Sequence, residues 1–186
     1  MNSFYSRDEL QQLGLCKYGD NVLISKKASL YGVENIEIGN NVRIDDFCIL
    51  SGKITIGDNI HISAYSALYG GKTGIILEDF ATISSRCAVY AESDDYLGEV
   101  LTNSTIPIKY RNVIQGKVEF KKHSIIGSGC TVLPGVTLHE GAAVGSMSLV
   151  NRTLEEWAVY VGIPCKKTKN RSKNLLHLEK MMINDK

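Results

Sequence analysis

The stretch IIGSGCTVLPGVTLHEGAAVGSMSLV, residues 125–150, repeats with a period of six residues. Every sixth position from Ile126 is aliphatic, and the series continues through Val132, Leu138, Val144 and Val150. An α-helix repeats near 3.6 residues and a β-strand alternates at two, so neither accounts for this spacing. The stretch therefore predicts a structure whose repeating unit is six residues long.

The same period extends through most of the chain. It is interrupted by a three-residue insertion after Leu68 and by a much longer one after Val89. We call the repeating apolar positions the anchors. They are Ile38, Ile44, Leu50, Ile56, Ile62, Leu68, Leu77, Ile83, Val89, Phe120, Ile126, Val132, Leu138, Val144 and Val150.

A second position, four residues after each anchor, is small or aliphatic. We interpret each hexad as one short strand and one corner of a triangular solenoid, so that three hexads close a coil and residues 18 apart stack. Gly, Asn and Asp near the corners suit tight-turn backbone. The second position comprises Val42, Cys48, Ile54, Ile60, Ser66, Ala81, Cys87, Ser124, Cys130, Val136, Ala142 and Ser148, so its three cysteines are expected to be core residues.

The predicted fold is therefore an all-β solenoid forming a single domain, residues 1–186. We expect coils at 18–89 and 118–150, an active-site loop at 90–117, and a C-terminal cover at 151–186. Such a long interruption in a compact domain is usually functional. The motif YGGKTG at 69–74 lacks the spacing of a phosphate-binding loop and is interpreted as a bulge at a corner.

Both ends of the chain predict short helices. Residues 6–9, SRDE, fit a capping box, which favours a helix within residues 1–15 that ends near Gly14. Residues 172–183 predict an amphipathic helix that covers the open end of the solenoid or contacts another subunit. Its expected apolar face consists of Leu175, Leu176, Leu178, Met181 and Met182.

Composition limits the possible partners. The chain has 186 residues and a net charge of +1, which suits one domain and argues against a nucleic-acid partner. It shows no signal-peptide pattern, and no run reaches the roughly 18 apolar residues of a membrane helix. We therefore expect a cytoplasmic protein without membrane insertion. Scattered histidines and cysteines without a CxxC motif predict no metal site.

With these motifs the chain resembles the hexapeptide-repeat acyltransferases, the left-handed parallel β-helix family. The resemblance rests on IIGSGCTVLPGVTL, AAVGSMSLVNRTL and VGIPCKK, and covers nearly the whole chain. The pieces ESDDYLGE and TNSTIP look most like sugar acetyltransferases of O-antigen and capsule pathways, including those that acetylate dTDP-4-amino-4,6-dideoxyglucose. The resemblance implies a homotrimer with an active site between each pair of neighbouring solenoids and acetyl-CoA lying along the cleft.

Matching positions imply residues that bind the acetyl-CoA. Ser128 and Ser146 match positions where backbone groups contact the pantetheine arm, and their separation of 18 residues independently places them on one corner. Asn151 and Arg152 match a pair near the nucleotide end, and Lys166 and Lys169 match basic residues near the CoA phosphates. The single tryptophan, Trp157, is expected to pack under the C-terminal cover.

The catalytic base departs from the family pattern. Many relatives place a histidine at the start of the long loop, where this chain has Asp94. An amine with a pKa of about 8 is partly neutral near pH 7, so Asp94 or Asp95 would suffice to orient it and accept a proton. A hydroxyl acceptor needs a stronger base, and a carboxylate serves only if burial raises its pKa. His123, in the corner KKHS, is the alternative base and is expected to be exposed.

The missing histidine favours N-acetylation of a nucleotide-linked amino-deoxy sugar. Two alternatives remain from the sequence: an O-acetyltransferase that acts on a sugar hydroxyl, and a non-catalytic solenoid scaffold.

Overall fold

The fold is a left-handed parallel β-helix of about seven turns. The computed structural model describes residues 3–185. The helices are α1 (Arg7–Gln12) and α2 (Asn174–Asn184), with 3₁₀ turns at Val33–Asn35 and Ile108–Tyr110. The strands are β1 (Lys17–Tyr18), β2 (Val22–Ile24), β3 (Ser29–Tyr31), β4 (Ile36–Ile38), β5 (Val42–Ile44), β6 (Ile49–Ile56), β7 (Ile60–Ile62), β8 (Ala67–Leu77), β9 (Thr82–Ile83), β10 (Ala88–Tyr90), β11 (Glu92–Ser93), β12 (Ile114–Gln115), β13 (Val118–Phe120), β14 (Ile125–Ile126), β15 (Thr131–Val132), β16 (Thr137–Leu138), β17 (Ala143–Val144), β18 (Leu149–Val150), β19 (Ala158–Val161) and β20 (Lys166–Asn170).

The strands form three faces of parallel ladders. The first face contains β1, β4, β13, β16 and the second halves of β6 and β8. The second face runs β2-β5-β7-β9-β14-β17-β19. The third contains β3, the first halves of β6 and β8, then β10, β15 and β18. We call the corner from the first to the second face corner A, the next corner B, and the return from the third face to the first corner C.

The first coil pairs at a spacing of 20 residues, as in Val22 with Val42, and the last at 16, as in Ala143 with Val159. The predicted register of 18 residues is confirmed in the uninterrupted coils between them. Val42 pairs with Ile60, and Ile125 pairs with Ala143. Both insertions fall at corner C. Across the first insertion, Ile54 pairs with Ile75 of the next coil. Across the second, Ile75 pairs with Val118, a separation of 43 positions in place of 18. Insertions at one corner leave the strand ladders on both sides intact.

The core consists of the anchors and their small neighbours. All fifteen anchors and all twelve residues of the second position are buried. The thiols of Cys48, Cys87 and Cys130 also donate hydrogen bonds to corner B carbonyls of the next coil, with Sγ···O distances of 3.2–3.3 Å. Ser66 does the same with its hydroxyl, at 2.9 Å. These positions therefore satisfy backbone oxygens at a corner where strand pairing stops.

The N-terminal helix forms as predicted. The Ser6 hydroxyl accepts the backbone N–H of Glu9, and the Glu9 carboxylate accepts the backbone N–H of Ser6 at 2.7 Å, which completes a capping box. Leu10 is the buried residue of α1.

The C-terminal helix forms within two residues of its predicted bounds. Strand β20 pairs antiparallel with β19 at the end of the second face, and α2 follows it. In the expected apolar face of α2, Leu175 and Leu176 are half-buried, whereas Leu178, Met181 and Met182 are exposed and do not pack on the end of the solenoid. A polar contact holds the helix instead: Glu179 accepts from Lys122 Nζ at 2.6 Å and lies 2.8 Å from His123 Nε2, both at corner A. No helix within residues 3–185 is long and apolar enough to cross a membrane.

Replacing a single anchor should destabilise the solenoid measurably. Leu68 is fully buried on the third face, so Leu68→Ala should lower the free energy of unfolding by about 2–5 kcal/mol through lost burial and a residual cavity. Leu97→Ala is the matched control, since Leu97 is 87% exposed. Thermal and chemical denaturation followed by circular dichroism measure both variants. Equal midpoints for the two would contradict the inward placement of the anchors.

Candidate active site

A large cleft lies between the long loop and the outer surface of the third face. We call it the Asp94 cleft. It encloses about 800 Å³. Its floor comes from outward-facing residues of β15 and β18 and the corner that follows them, and its wall comes from the loop. The lining residues are Tyr90, Glu92, Ser93, Asp94, Tyr96, Ile114, Thr131, Leu133, Pro134, Leu149 and Asn151.

The loop is held over the face by short-range backbone pairing and one carboxylate. Strands β11 and β12 pair antiparallel and close the base of the loop. The Asp95 carboxylate accepts the backbone N–H groups of Leu97, Glu99 and Val100 at 2.7, 2.7 and 3.1 Å. These bonds, with that from Leu97 the strongest, hold the pKa of Asp95 below its ordinary value. The carboxylate is engaged with the loop backbone and does not line the cleft, so it is poorly placed for the predicted role of base.

Asp94, the residue before Asp95, has a different environment. Its side chain is half-buried and lines the cleft. One of its oxygens accepts the backbone N–H of Asn103 at 3.3 Å, the only hydrogen bond to its side chain from the described residues. Most of the hydrogen-bonding capacity of this carboxylate therefore remains for a ligand in the cleft.

The wall of the cleft beside Asp94 is aromatic. Tyr90 stacks on Tyr69 of the preceding coil, with ring centroids 5.1 Å apart. Burial raises the pKa of Tyr90, which keeps its hydroxyl neutral and able to donate. The cleft thus combines two carboxylates with partly apolar walls, and one of the two, Glu92, already accepts the backbone N–H of Lys72.

His123 is not part of this cleft, and the expectation that it is exposed is wrong. It is 7% exposed at corner A and stacks on Phe80, with ring centroids 5.0 Å apart. Its Nε2 lies 2.8 Å from Glu179 of α2. Burial alone would raise the pKa of Glu179, but the hydrogen bonds from Lys122 and His123 lower it below its ordinary value. His123 attaches the C-terminal helix, and the structure does not bring it to the loop.

Ser128 and Ser146 stack on corner B, as their spacing predicts. Both are exposed, and the carbonyl of Ser128 accepts the N–H of Met147 at 2.9 Å. Neither Ser128 nor Ser146 has a partner for its own backbone N–H within residues 3–185. A Cβ on Gly127 would lie 2.6 Å from the nitrogen of Ser146, so glycine is needed for this close approach. Corner B thus presents two unpaired N–H donors one above the other.

Ser84 lies on the same corner and was not among the predicted site residues. Its N–H donates to Ile126 at 3.1 Å and its carbonyl accepts the Ser66 hydroxyl, so its backbone is fixed. Its own hydroxyl makes no hydrogen bond to any part of the chain that the structure describes. The available signal was a hydroxyl directly after an anchor, where the two later coils have Gly127 and Gly145.

The remaining predicted residues lie at the C-terminal end of the solenoid. Asn151 lines the cleft, and Arg152 is exposed beside it. Lys166 and Lys169 are exposed on β20 and form no ion pair with any described carboxylate, whereas Lys167 lies 3.3 Å from Glu155.

Arg171 and Trp157 pack at corner A rather than serving a ligand. The Arg171 guanidinium donates to the carbonyls of His123 and Gly141 at 2.7 and 3.1 Å, and burial lowers its pKa. Trp157 is buried against Gly141, which agrees with the expected packing under the C-terminal cover. Residues 3–185 contain no group of three or more His, Cys, Asp or Glu side chains that would hold a metal ion.

Comparison with known proteins agrees with this geometry. Residues 35–70 match the family model of the bacterial transferase hexapeptide (six repeats). The chain is 49% identical over 174 residues to the dTDP-4-amino-4,6-dideoxy-D-glucose acyltransferase of Escherichia coli, covering 92% of this chain and 90% of that protein.

Solved structures of AntD, an N-acyltransferase from Bacillus cereus, match along the whole length. The identity is 54%, the TM-score is 0.99, and each chain is covered completely. The S84A variant of AntD was crystallised with dTDP-4-amino-4,6-dideoxyglucose and coenzyme A, and the D94A variant with dTDP and coenzyme A. A further AntD structure contains dTDP and 3-hydroxybutyryl-CoA, with a TM-score of 0.98. Identity at this level along essentially the full chain makes this protein a member of the hexapeptide-repeat acyltransferase family.

Proposed function

We propose that this chain transfers an acyl group, most simply acetyl, from acyl-CoA to the amine of dTDP-4-amino-4,6-dideoxyglucose. The observation that carries the proposal is a carboxylate, Asp94, that lines the cleft and is nearly free of partners, whereas the other cleft carboxylate, Glu92, accepts the backbone N–H of Lys72. A protonated or proton-losing amine is the acceptor that such a carboxylate suits.

The relation to AntD supports the same residues. AntD and this chain cover each other completely, and AntD variants were made at an aspartate numbered 94 and a serine numbered 84. This chain carries Asp94 and Ser84 at the same numbers. Asp94 is the cleft carboxylate, and Ser84 has the free hydroxyl on corner B. We assign both to the active site, with Asp95 holding the loop that presents Asp94.

One protomer alone does not bring these two residues together. Ser84 precedes strand β10 and Asp94 follows it, so they lie at opposite edges of the third face. About six residues of extended chain separate these edges, roughly 20 Å. A complete site therefore takes Asp94 from one protomer and Ser84 from its neighbour, which supports a homotrimer with three equivalent clefts.

The third face has the composition of such an interface. Its outward positions on successive coils carry no charge and are half-buried even in one chain: Ile49, Ala67, Ala88, Thr131 and Leu149. A neighbouring solenoid would cover this surface and exclude water from the cleft. Depletion of charge at the centre of an interface is the expected pattern.

The reaction proceeds by direct transfer. The neutral amine nitrogen attacks the thioester carbonyl carbon, a C–N bond forms, and the carbonyl oxygen gains negative charge. The Ser84 hydroxyl or a free backbone N–H of corner B donates to this oxygen. Collapse breaks the C–S bond, and CoA leaves as a thiolate. The proton lost by nitrogen passes to Asp94 and then to the thiolate. Alignment of the two substrates supplies much of the rate.

The donor lies along corner B and reaches the end of the solenoid. The unpaired N–H groups of Ser128 and Ser146 would bind carbonyl oxygens of the pantetheine arm, as amide donors at a corner can. Asn151 and Arg152 would contact the nucleotide end. Lys166 and Lys169, exposed cations without carboxylate partners, would bind the CoA phosphates. An O-acetyltransferase is less well supported, because no histidine lines the Asp94 cleft.

Removing the cleft carboxylate should slow the chemical step. Asp94→Asn should lower kcat by about 100-fold or more, since general-base assistance contributes this much. The residual rate should rise with pH as the amine loses its proton unaided. Thiol release from acetyl-CoA with the dTDP-amino sugar as acceptor measures kcat at each pH. Asp20→Asn, which alters an exposed aspartate far from the cleft, is the control. An unchanged kcat with an intact oligomer would remove Asp94 from the mechanism.

Mixing two impaired variants should restore activity if the site is shared. In trimers assembled at random from equal amounts of Asp94→Asn and Ser84→Ala chains, about a quarter of the interfaces regain both native residues. Co-expression with two affinity tags isolates the mixed trimers for assay. Each mixed trimer has one of its three interfaces with both native residues, so activity near a third of wild type is expected. Activity no higher than that of the separate variants would place both residues of each site in one protomer.

Removing a positive charge from the basic end of the solenoid should weaken binding of the acyl donor alone. Lys166→Ala should raise the KM for acetyl-CoA by about fivefold, as loss of an exposed ion pair can, with little change in kcat. Lys167→Ala is the matched control, since Lys167 pairs with Glu155. Dephospho-acetyl-CoA, which lacks the 3′-phosphate, should reduce the difference between the variants. A change confined to the KM of the sugar nucleotide would contradict this assignment.

A further inference from the structure

A second cavity at corner C adjoins the Asp94 cleft. We call it the corner C cavity. It encloses about 310 Å³ and is lined by Lys72, Glu92, Ile108, Arg111, Asn112, Val113 and Gln115. Glu92 lines both the cavity and the cleft, so the two spaces meet at this residue. None of the steps described above uses the two cations of this cavity.

Lys72 belongs to the glycine-rich segment YGGKTG, whose spacing does not fit a phosphate-binding loop. In the structure this segment is the bulge of β8 at corner C. Gly71 has φ +51°, and a Cβ there would overlap the Glu92 side chain. The Glu92 carboxylate accepts the backbone N–H of Lys72 at 3.0 Å. The bulge is thus fixed through its backbone, and the Lys72 ammonium forms no ion pair with any described carboxylate.

Arg111 is brought to the same cavity by the returning strand of the long loop. Its Nε is buried and has no hydrogen-bond partner within residues 3–185. Its one hydrogen bond is long, from Nη1 to the Asn103 carbonyl at 3.4 Å. Leaving a buried charged donor unsatisfied is destabilising, so an acceptor is expected at this position. A guanidinium suits phosphate oxygens, which it binds with two parallel N–H groups.

Two unpaired cations and two side-chain amides, those of Asn112 and Gln115, therefore face one cavity. The single carboxylate present, Glu92, is directed at the backbone N–H of Lys72 and forms no ion pair with either cation. This donor set matches a diphosphate diester, which carries two negative charges and several acceptor oxygens.

We propose that Lys72 and Arg111 bind the diphosphate of the nucleotide-sugar acceptor in the corner C cavity. This inference rests on the proposed function and specifies how its acceptor is held. In a 4-amino sugar nucleotide the diphosphate is attached at C1, across the ring from the amine at C4. Such a substrate needs an anion site beside the reacting carboxylate and separated from it by one sugar ring. The corner C cavity meets the Asp94 cleft at Glu92, two residues from Asp94, in the manner this geometry requires.

The CoA diphosphate is the other source of the same chemistry. Corner C is at the opposite edge of the third face from the unpaired N–H groups of corner B, and Lys166 and Lys169 lie on β20 at the end of the solenoid. The two anionic substrates therefore have separate basic groups, and the cavity is assigned to the acceptor.

Ligand binding and steady-state kinetics on the full-length protein test the proposal. Lys72→Gln and Arg111→Gln should each weaken binding of dTDP by about tenfold or more in titration calorimetry, as loss of a charge-assisted hydrogen bond does. Inorganic pyrophosphate should compete with dTDP in the wild type, and dTMP should bind more weakly than dTDP. The KM for the amino sugar nucleotide should rise, while the KM for acetyl-CoA stays within about twofold.

Lys109→Gln is the matched control, because it removes a charge from the same loop and lies over the Tyr110 ring outside the cavity lining. Arg111→Lys keeps the charge and loses the paired N–H groups, so it should recover only part of the affinity. Thermal denaturation and oligomer mass confirm that each variant is folded.

Three results would overturn the inference. They are unchanged dTDP affinity in both cavity variants, an equal loss in Lys109→Gln, or a rise in the KM for acetyl-CoA alone. Any of these would leave the proposed acyl transfer standing, because wild-type thiol release tests that separately. If the wild type releases no thiol but binds pyrophosphate through Lys72 and Arg111, the proposed reaction fails and the anion site remains.

Discussion

The parallel register between coils constrains everything else in this molecule. Each strand contributes only two or three residues to a face, and its N–H and C=O groups pair with strands of the coils before and after it. An insertion within a strand would break two ladders, so additional residues are tolerated only at corners. Both insertions of this chain lie at corner C on successive coils, and Glu92 from the second contacts Gly71 in the first. The stacking rule thereby brings the glycine-rich bulge and the long loop into contact.

Corner B shows the complementary arrangement, with no insertion and strict repetition. Buried Cys and Ser side chains donate to the carbonyls at the start of this corner in the next coil. The corner backbone is therefore fixed from inside, and unpaired N–H groups and the Ser84 hydroxyl face outward. The loop with its carboxylate lies at one edge of the third face, and a rigid row of donors lies at the other. In the proposed function each edge supplies half of the acyl-transfer site, and a second protomer brings the halves together.

The hexad pattern predicts what faces inward, and it does so for every anchor and every small neighbour. It also locates the interruption at residues 90–117, whose functional role stays a prediction, and the separate motif SRDE predicts the capping box at Ser6. Its failures concern what faces outward. His123 has a sequence position typical of an exposed corner, yet Phe80 of the preceding coil and Glu179, 56 residues later, bury it. Contacts along the solenoid axis and with the C-terminal helix depend on side chains from distant segments, which a period of six does not describe.

The same limit explains why the sequence alone does not indicate Ser84 and Lys72 as candidate site residues. Ser84 resembles any small corner residue until the hydrogen bonds around it show that its hydroxyl alone is unused. Lys72 belongs to a motif whose spacing does not fit a phosphate-binding loop. The cavity beside it forms because Arg111, from the other insertion at the same corner, lies against it. With a net charge of +1, the protein has no strong overall field to attract anions. In the proposed function, discrimination between two substrates that both carry diphosphates would therefore come from where individual cations lie: Lys72 and Arg111 at corner C for the acceptor, and Lys166 and Lys169 on β20 for the donor. In the proposed complex the two substrates would enter from opposite sides, so that the amine and the thioester carbonyl meet beside the Asp94 carboxylate, as direct transfer requires.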